Sequence, residues 1–217
     1  MKLYAHPFSS YCQKALIAFY ENGTPVEFMM LSPEHPENSA AHAGLWPLKR
    51  MPVLEDQGRT VVEASIIIEY LGLNHPGPVR LIPEDPRAAL DVRMLDRFFD
   101  NYVMTPMQRI VGDFIRPAEN RDRHGVADAH GMLDSAYRWL DAKMQGREWA
   151  AGATFSLADC ATAPSLFYAD WVHAIGREFP NALAYRKRLL ARPSYARAVE
   201  EARPYRHFFP PGAPDRD

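Results

Sequence analysis

Cysteine is scarce in this chain of 217 residues, with only Cys12 and Cys160. Two thiols cannot build a disulfide framework, so nothing points to an oxidising compartment. Metal-ligand spacing is lacking too. The histidines are scattered, and no Cys or His pair recurs at finger-like intervals, so no metal is expected. No apolar run approaches the ~18 residues of a membrane span. The opening Met1-Lys2-Leu3-Tyr4-Ala5-His6-Pro7 lacks the long apolar core of a signal peptide. Neither sign of charge is in excess. A formal net charge of −2 gives no reason to expect a nucleic-acid or membrane partner. The arginines of the C-terminal part alternate with acids and apolar residues and read as solvated helix faces. There is no internal repeat and no low-complexity block. These absences leave the cytoplasm as the expected location.

What remains is an ordinary globular composition: 47% of residues are apolar and 24% charged. The length suits one large domain or two smaller ones. Before residue 76, short apolar runs alternate with helical patterns. Residues 2–5 read as a strand. Residues 12–22 read as a helix burying Ala15, Leu16, Ala18 and Phe19, with Gly23 as its C-cap. Residues 25–30 alternate like a strand. The Pro-, His- and Asn-rich stretch 32–50 reads as loop with one helical turn. Residues 53–55 and 60–62 make a hairpin about Asp56-Gln57-Gly58, and 64–73 form an apolar helix. The order β-α-β-loop-β-β-α implies a small mixed sheet covered by helices.

His75-Pro76-Gly77-Pro78 breaks that helix and opens a linker. From Arg87 onward the pattern is helical throughout. Leu95, Phe98, Phe99, Tyr102, Ile110 and Phe114 recur at helical spacing, with Pro106 expected to bend the segment. Val126 to Met144 carries a second stripe. Residues 157–172 are apolar nearly all round, as a buried central helix requires. Helices from about 181 to 190 and 194 to 202 follow, and the proline-rich tail is expected to be extended. The resulting division is 1–75, a linker at 76–86, and an all-helical part at 87–217.

Three places can carry chemistry, and a fourth polar motif is structural. Ser9-Ser10-Tyr11-Cys12 opens the first helix, where free N–H groups and the helix dipole favour negative charge. Either serine is also explained as a plain N-cap. Met51-Pro52 precedes the hairpin, as a strand-opening proline or as a cis-proline that exposes neighbouring backbone groups. Glu63-Ala64-Ser65 offers a carboxylate and a hydroxyl at another helix start, where capping is the simpler explanation. Phe155-Ser156-Leu157-Ala158-Asp159 is a capping-box variant that starts the central helix rather than doing chemistry. Ser9-x-x-Cys12 has the spacing of a dithiol motif whose first cysteine is replaced, which excludes two-cysteine disulfide exchange. Cys12 itself reads as either a reactive thiol or an inert buried one.

Together and in this order, these segments resemble the cytosolic glutathione transferase superfamily over nearly the whole chain. The resemblance is to serine-type bacterial and zeta/theta-like members rather than tyrosine or cysteine types. It rests on Ser9-Ser10-Tyr11-Cys12, Met51-Pro52-Val53, the helix Val62-Glu63-Ala64-Ser65-Ile66-Ile67-Ile68-Glu69-Tyr70-Leu71, the Pro-rich linker and the Phe155–Asp159 box. It implies a thioredoxin-like α/β N-terminal domain (βαβαββα), an all-α C-terminal domain and a homodimer. Glutathione would be the co-substrate, and its thiol would attack a small hydrophobic electrophile.

Ser9 falls where the family's thiol-activating serine lies, with Ser10 as the alternative. Met51 would offer its backbone to the cysteinyl group, and Pro52 would be the family's cis-proline. Lys49 and Arg50 lie where the glycyl carboxylate is met, and Glu63 matches the acid that contacts the γ-glutamyl amine. The family's next residue is usually serine, but here it is Ala64, so Ser65 or backbone N–H groups would have to serve instead. Tyr102, Met104, Met107, Ile110 and Phe114 are candidates for an apolar wall facing the electrophile, though residues of this kind are more often plain core. A non-catalytic binding member, or a glutathione-dependent isomerase or peroxidase, are the alternatives.

Overall fold

The structure, a computed structural model, describes residues 1–217. Its sheet has four strands in the order β2-β1-β3-β4. They are β1 (Lys2–Ala5), β2 (Glu27–Met30), β3 (Val53–Asp56) and β4 (Arg59–Val62). β1 runs parallel to β2, with Leu3 opposite Phe28, and antiparallel to β3, with Leu3 opposite Leu54. The parallel pair needs a crossover, which α1 (Ser10–Asn22) supplies. The expected face of α1 is buried, and Gly23 closes the helix in the left-handed region at φ 58. The hairpin turn narrows to Gln57 and Gly58, both at positive φ, as two-residue turns of a right-twisted hairpin require. Asp56 stays in the ladder opposite Arg59.

The stretch 32–50 differs from expectation. Pro36–Leu45 is a ten-residue helix, α2, rather than one turn. Pro36 suits its first position and Glu37 its positive end, while Ala40, Ala41 and Ala43 are strong helix formers. Its anchors to the sheet layer are polar, so apolar periodicity did not reveal it. Asn38 donates to the Met30 carbonyl at 3.0 Å, and the His42 ring lies 3.0 Å from the Arg50 carbonyl.

Helix α3 (Ala64–Asn74) packs on α1 and ends the sheet layer. The segment beyond it is tied down at both ends. Asn22 exchanges two hydrogen bonds with the Val79 backbone, and Leu157 N donates to the Leu81 carbonyl. Helices α4 (Pro86–Phe99), α5 (Thr105–Ile115), α6 (Arg123–Met144), α7 (Leu157–Val172), α8 (Pro180–Leu190) and α9 (Pro193–Ala202) make up the rest. Pro106 does interrupt the long segment, and the interruption takes the form of a π-helical turn, Asp100–Met104. The Thr105 N–H bonds the Asp100 carbonyl five residues back, and Pro106 then opens α5 without needing a donor of its own.

Helix α7 is buried almost all round and packs on both α1 and α4. Asp159 starts it, accepting from Ser156 N, Ala150 N and the Tyr185 hydroxyl. A single apolar core of 47 residues runs through both layers, so the sheet layer and the helical bundle share one interior. The tail also departs from expectation. Residues Arg203–Phe208 form a 3-10 turn rather than an extended strand. Tyr205 and Phe208 pack against the His6 ring, and the Asp217 carboxylate is held by Arg203 and Arg206. No helix is long and apolar enough to cross a membrane.

Candidate active site

The connection from β1 to α1 sets the first element of the site. Ser9 is the N-cap of α1 in extended conformation, and its hydroxyl oxygen accepts from Cys12 N at 3.4 Å. The hydroxyl proton is not used in that bond. Neither an acid in the first turn nor a base in the last turn offsets the helix dipole, so the positive end stays available to an anion. Ser10 is buried inside the first turn.

Ser9 stands on the rim of a cavity of about 500 Å³ at the junction of the sheet layer and the helices. Met51 and Pro52 line the cavity and are joined by a cis peptide bond. Lys49 and Arg50 precede them on the same wall, and the Arg50 carbonyl is held by His42. Glu63 and Ala64 line it too, Glu63 leaving β4 at the end of the ladder where Val62 pairs with Val53. Glu63 is the N-cap residue of α3, yet its carboxylate makes no capping bond. The simpler reading of this acid as a cap therefore does not hold, and the carboxylate is free to meet a ligand. Three residues other than glycine have positive φ, and two of them, Lys49 and Glu63, line this cavity.

Ser65 does not line it. Its hydroxyl is buried and donates to Asp96 at 2.9 Å, while Arg97 Nη2 donates to the same oxygen at 2.5 Å. It is thus engaged in an interior network and turned from the role that Ala64 vacates. That network joins α1 to α4 and the π turn. Lys14 Nζ lies 2.6 Å from Asp96 and 2.8 Å from Asp100, and Arg97 Nη2 lies 2.7 Å from each acid. Burial pushes the Asp100 carboxyl up, against the pull of Lys14.

Arg97 and Asp100 both reach the cavity wall, together with Tyr11, Trp46, Asn101 and Gln108. Sequence reasoning missed these. The available signal was two acids four residues apart, Asp96 and Asp100, on an otherwise apolar helix face, with Lys14 inside the apolar run of α1. Burial and then Asp100 raise the Tyr11 phenol to about 12, so it stays protonated at neutral pH.

Among the candidates for an apolar wall, Met104 and Met107 are core, and Ile110 packs against that core. Tyr102 and Phe114 are largely exposed, with Tyr102 leaning on Phe98. The structure does not gather these five around the cavity. Cys12 is fully buried, and burial raises its thiol to about 11, which makes it inert. A second cavity, about 310 Å³, lies beneath the segment after α3, walled by Ala18, Leu71, Val79 and Leu81. It holds no converging catalytic groups.

The fold and this corner define a class: a thioredoxin-like α/β layer fused to a helical bundle, with a serine-capped helix start and a cis-proline lining one interlayer cavity. Comparison with known proteins gives the family. Residues 3–79 match the glutathione S-transferase N-terminal domain and residues 99–193 the glutathione S-transferase C-terminal domain. The chain belongs to the glutathione S-transferase family.

A probable glutathione S-transferase of Nicotiana tabacum is 31% identical over 113 residues, covering 52% of this chain and 46% of that protein. The chain therefore matches about half the length of this relative. The maleylacetoacetate isomerase of Mus musculus is 27% identical over 147 residues, covering 67% of this chain and 65% of that protein. The crystal structure of a glutathione S-transferase from Methylobacillus flagellatus with glutathione bound superposes with a TM-score of 0.80 at 25% identity, covering 91% of this chain and 98% of that one.

Proposed function

We propose that this chain binds glutathione in the interlayer cavity and activates its thiol with the Ser9 hydroxyl, for attack on a small hydrophobic electrophile. One observation carries the reading. Ser9 caps α1 on the rim of the same cavity that holds the Met51-Pro52 pair and an uncapped Glu63 carboxylate. The cysteinyl backbone would pair with Met51. The glycyl carboxylate would meet Lys49 and Arg50. The γ-glutamyl ammonium would face Glu63 and Asp100, and its carboxylate would face Arg97, which stands in for the hydroxyl absent at Ala64.

The energetics are of the right size. A free thiol ionises near pH ~8.5, and lowering that by ~2 units needs ~2.7 kcal/mol of differential stabilisation. A charge-assisted hydrogen bond supplies ~1.5–3 kcal/mol and the helix end ~0.3–1 kcal/mol. Ser9 acts as a donor and need not take a proton. Membership of the serine-type, zeta/theta-like group, a cytoplasmic location and a homodimer belong to the same proposal. Ile66 and Leu73 on α3 and Leu90 and Met94 on α4 are exposed apolar residues suited to a second copy.

The test is a pH titration of the bound thiolate's ultraviolet absorbance in Ser9→Ala and Ser10→Ala. The expected result is a rise of one to two units for Ser9→Ala alone, by the loss of ~1.5–3 kcal/mol, with little change in glutathione affinity. An unchanged titration in Ser9→Ala overturns the assignment, and a rise in Ser10→Ala instead moves it by one residue. Glutathione-dependent isomerisation is the second reading, favoured by the similarity to the mouse isomerase. Steady-state assays with a cis-enone and with an aryl halide separate the two.

A further inference from the structure

The two carbonyl groups before Ser9 are held from the interior by side chains. Gln13 Nε2 donates to the Pro7 carbonyl at 2.9 Å and to the Tyr168 hydroxyl oxygen at 3.1 Å. Tyr168 in turn donates to the Phe8 carbonyl at 2.8 Å. Both side chains are buried, at 0% and 3% exposure. The remaining backbone groups of the loop are satisfied locally. His6 Nδ1 accepts from Phe8 N at 3.1 Å, and the His6 carbonyl accepts from Ser9 N at 3.0 Å. Pro7 has no donor to satisfy. Every backbone polar group of Pro7 and Phe8 is thus fixed, and the last of them is fixed by α7, 160 residues away in sequence.

The tyrosine ring alone does not account for this. Phe8 already meets the Tyr168 ring edge-on at 5.5 Å, and Trp171 and Phe209 pack around the same ring. Phenylalanine would fill that volume equally well. The hydroxyl is buried and therefore costly unless paired. Here it is paired on both sides, accepting from α1 and donating to the peptide that enters Ser9. Rotation of the Phe8–Ser9 peptide would swing the Ser9 hydroxyl off the cavity rim, and this bridge opposes that rotation.

We infer that Tyr168, through Gln13 and the Phe8 carbonyl, is a positioning residue that aims the Ser9 hydroxyl at the thiol. The inference rests on Ser9 being the thiol's donor. It also makes the catalytic loop of the sheet layer dependent on the central helix of the bundle.

The test compares Tyr168→Phe, Gln13→Met, Ser9→Ala and the double variant Ser9→Ala/Tyr168→Phe in the full chain. The readouts are the pH titration of glutathione's bound thiolate, kcat and KM for glutathione, and thermal unfolding. Tyr168→Phe is expected to raise the bound thiol's pKa by about one unit, a roughly tenfold loss of thiolate below it. KM for glutathione should change by less than about twofold. In the Ser9→Ala background the same substitution should add nothing, because the two residues act as one unit. Gln13→Met, which leaves Tyr168 on Phe8, should give a smaller shift in the same direction and keeps the inference testable if Tyr168→Phe fails to fold. Lower thermal stability with an unmoved thiol pKa in both variants, while Ser9→Ala still shifts it, overturns this inference alone. An unmoved pKa in Ser9→Ala overturns the reading of Ser9 and this inference with it.

Discussion

Lys14 Nζ lies 2.6 Å from Asp96 Oδ1 in a part of the interior where the two residues are 1% and 2% exposed. Their pairing, shared with Asp100 and Arg97, bridges the sheet layer and the bundle beside the cavity that Arg97 and Asp100 line. Removing Lys14 leaves the two buried carboxylates to the half-exposed Arg97 alone. Lys14→Met is therefore expected to cost about 3–5 kcal/mol. Urea denaturation measures it, and Lys14→Met/Asp96→Asn should cost less than the sum of the two single changes.

Arg97 has a half-exposed guanidinium whose Nη2 is engaged by Ser65 and both acids. Its Nε also donates to Asp96 at 3.1 Å, which leaves Nη1 as the nitrogen available on a residue that lines the cavity. Arg97→Gln is expected to weaken glutathione binding by about ten- to a hundredfold, the worth of one charge-assisted hydrogen bond. An analogue without the γ-glutamyl α-carboxylate should bind wild type and variant equally. Calorimetry with both ligands checks this, and equal losses for the two would place the carboxylate elsewhere.

Both cysteines are fully buried, and burial raises the Cys12 thiol to about 11 and pushes the Cys160 thiol well above its ordinary value. The native protein should therefore show no thiol reactive toward a maleimide at neutral pH, and both should react in denaturant. Mass spectrometry after timed labelling gives the answer. Rapid native labelling at Cys12 would mean that the start of α1 opens readily.

Asp56 accepts from His75 Nε2 at 2.6 Å and from the Tyr70 hydroxyl at 2.9 Å, and these bonds hold its carboxyl below the usual range. The unfolded chain thus takes up this proton at a higher pH than the folded one. The stabilisation is present above the unfolded value of ~3.9 and is lost as pH falls through the folded value. Urea midpoints measured from pH 6 down to pH 3 should fall less steeply in Asp56→Asn than in wild type. Parallel slopes would show that the carboxylate is not held in this way.

Much of the fold was legible because its elements carry local signatures. Gly23 ends α1, the sequence Phe155–Asp159 opens α7, and the apolar run 157–172 could only be a buried helix. Helix α2 was not legible because alanines and two polar anchors, Asn38 and His42, replace an apolar stripe. The tail was misread because its four prolines suggested extension, whereas contacts with His6 and Asp217 curl it. Of the residues that line the cavity, Ser9, Met51, Pro52 and Glu63 were nameable from chain order. Arg97 and Asp100 were not, since their role depends on a π turn and on a buried lysine eighty residues earlier. A charge on a helix face looks solvated until the partner that buries it is known.

Glu63 holds φ 69 and ψ 120, a region that glycine enters freely and that strains a side chain by about 1–3 kcal/mol. The carboxylate proposed to meet the ligand's cationic amine thus sits on a backbone held in the positive-φ region. A glycine at 63 would make a hardier protein and a poorer receptor in the same stroke, so durability and ligand capture oppose each other at one torsion angle.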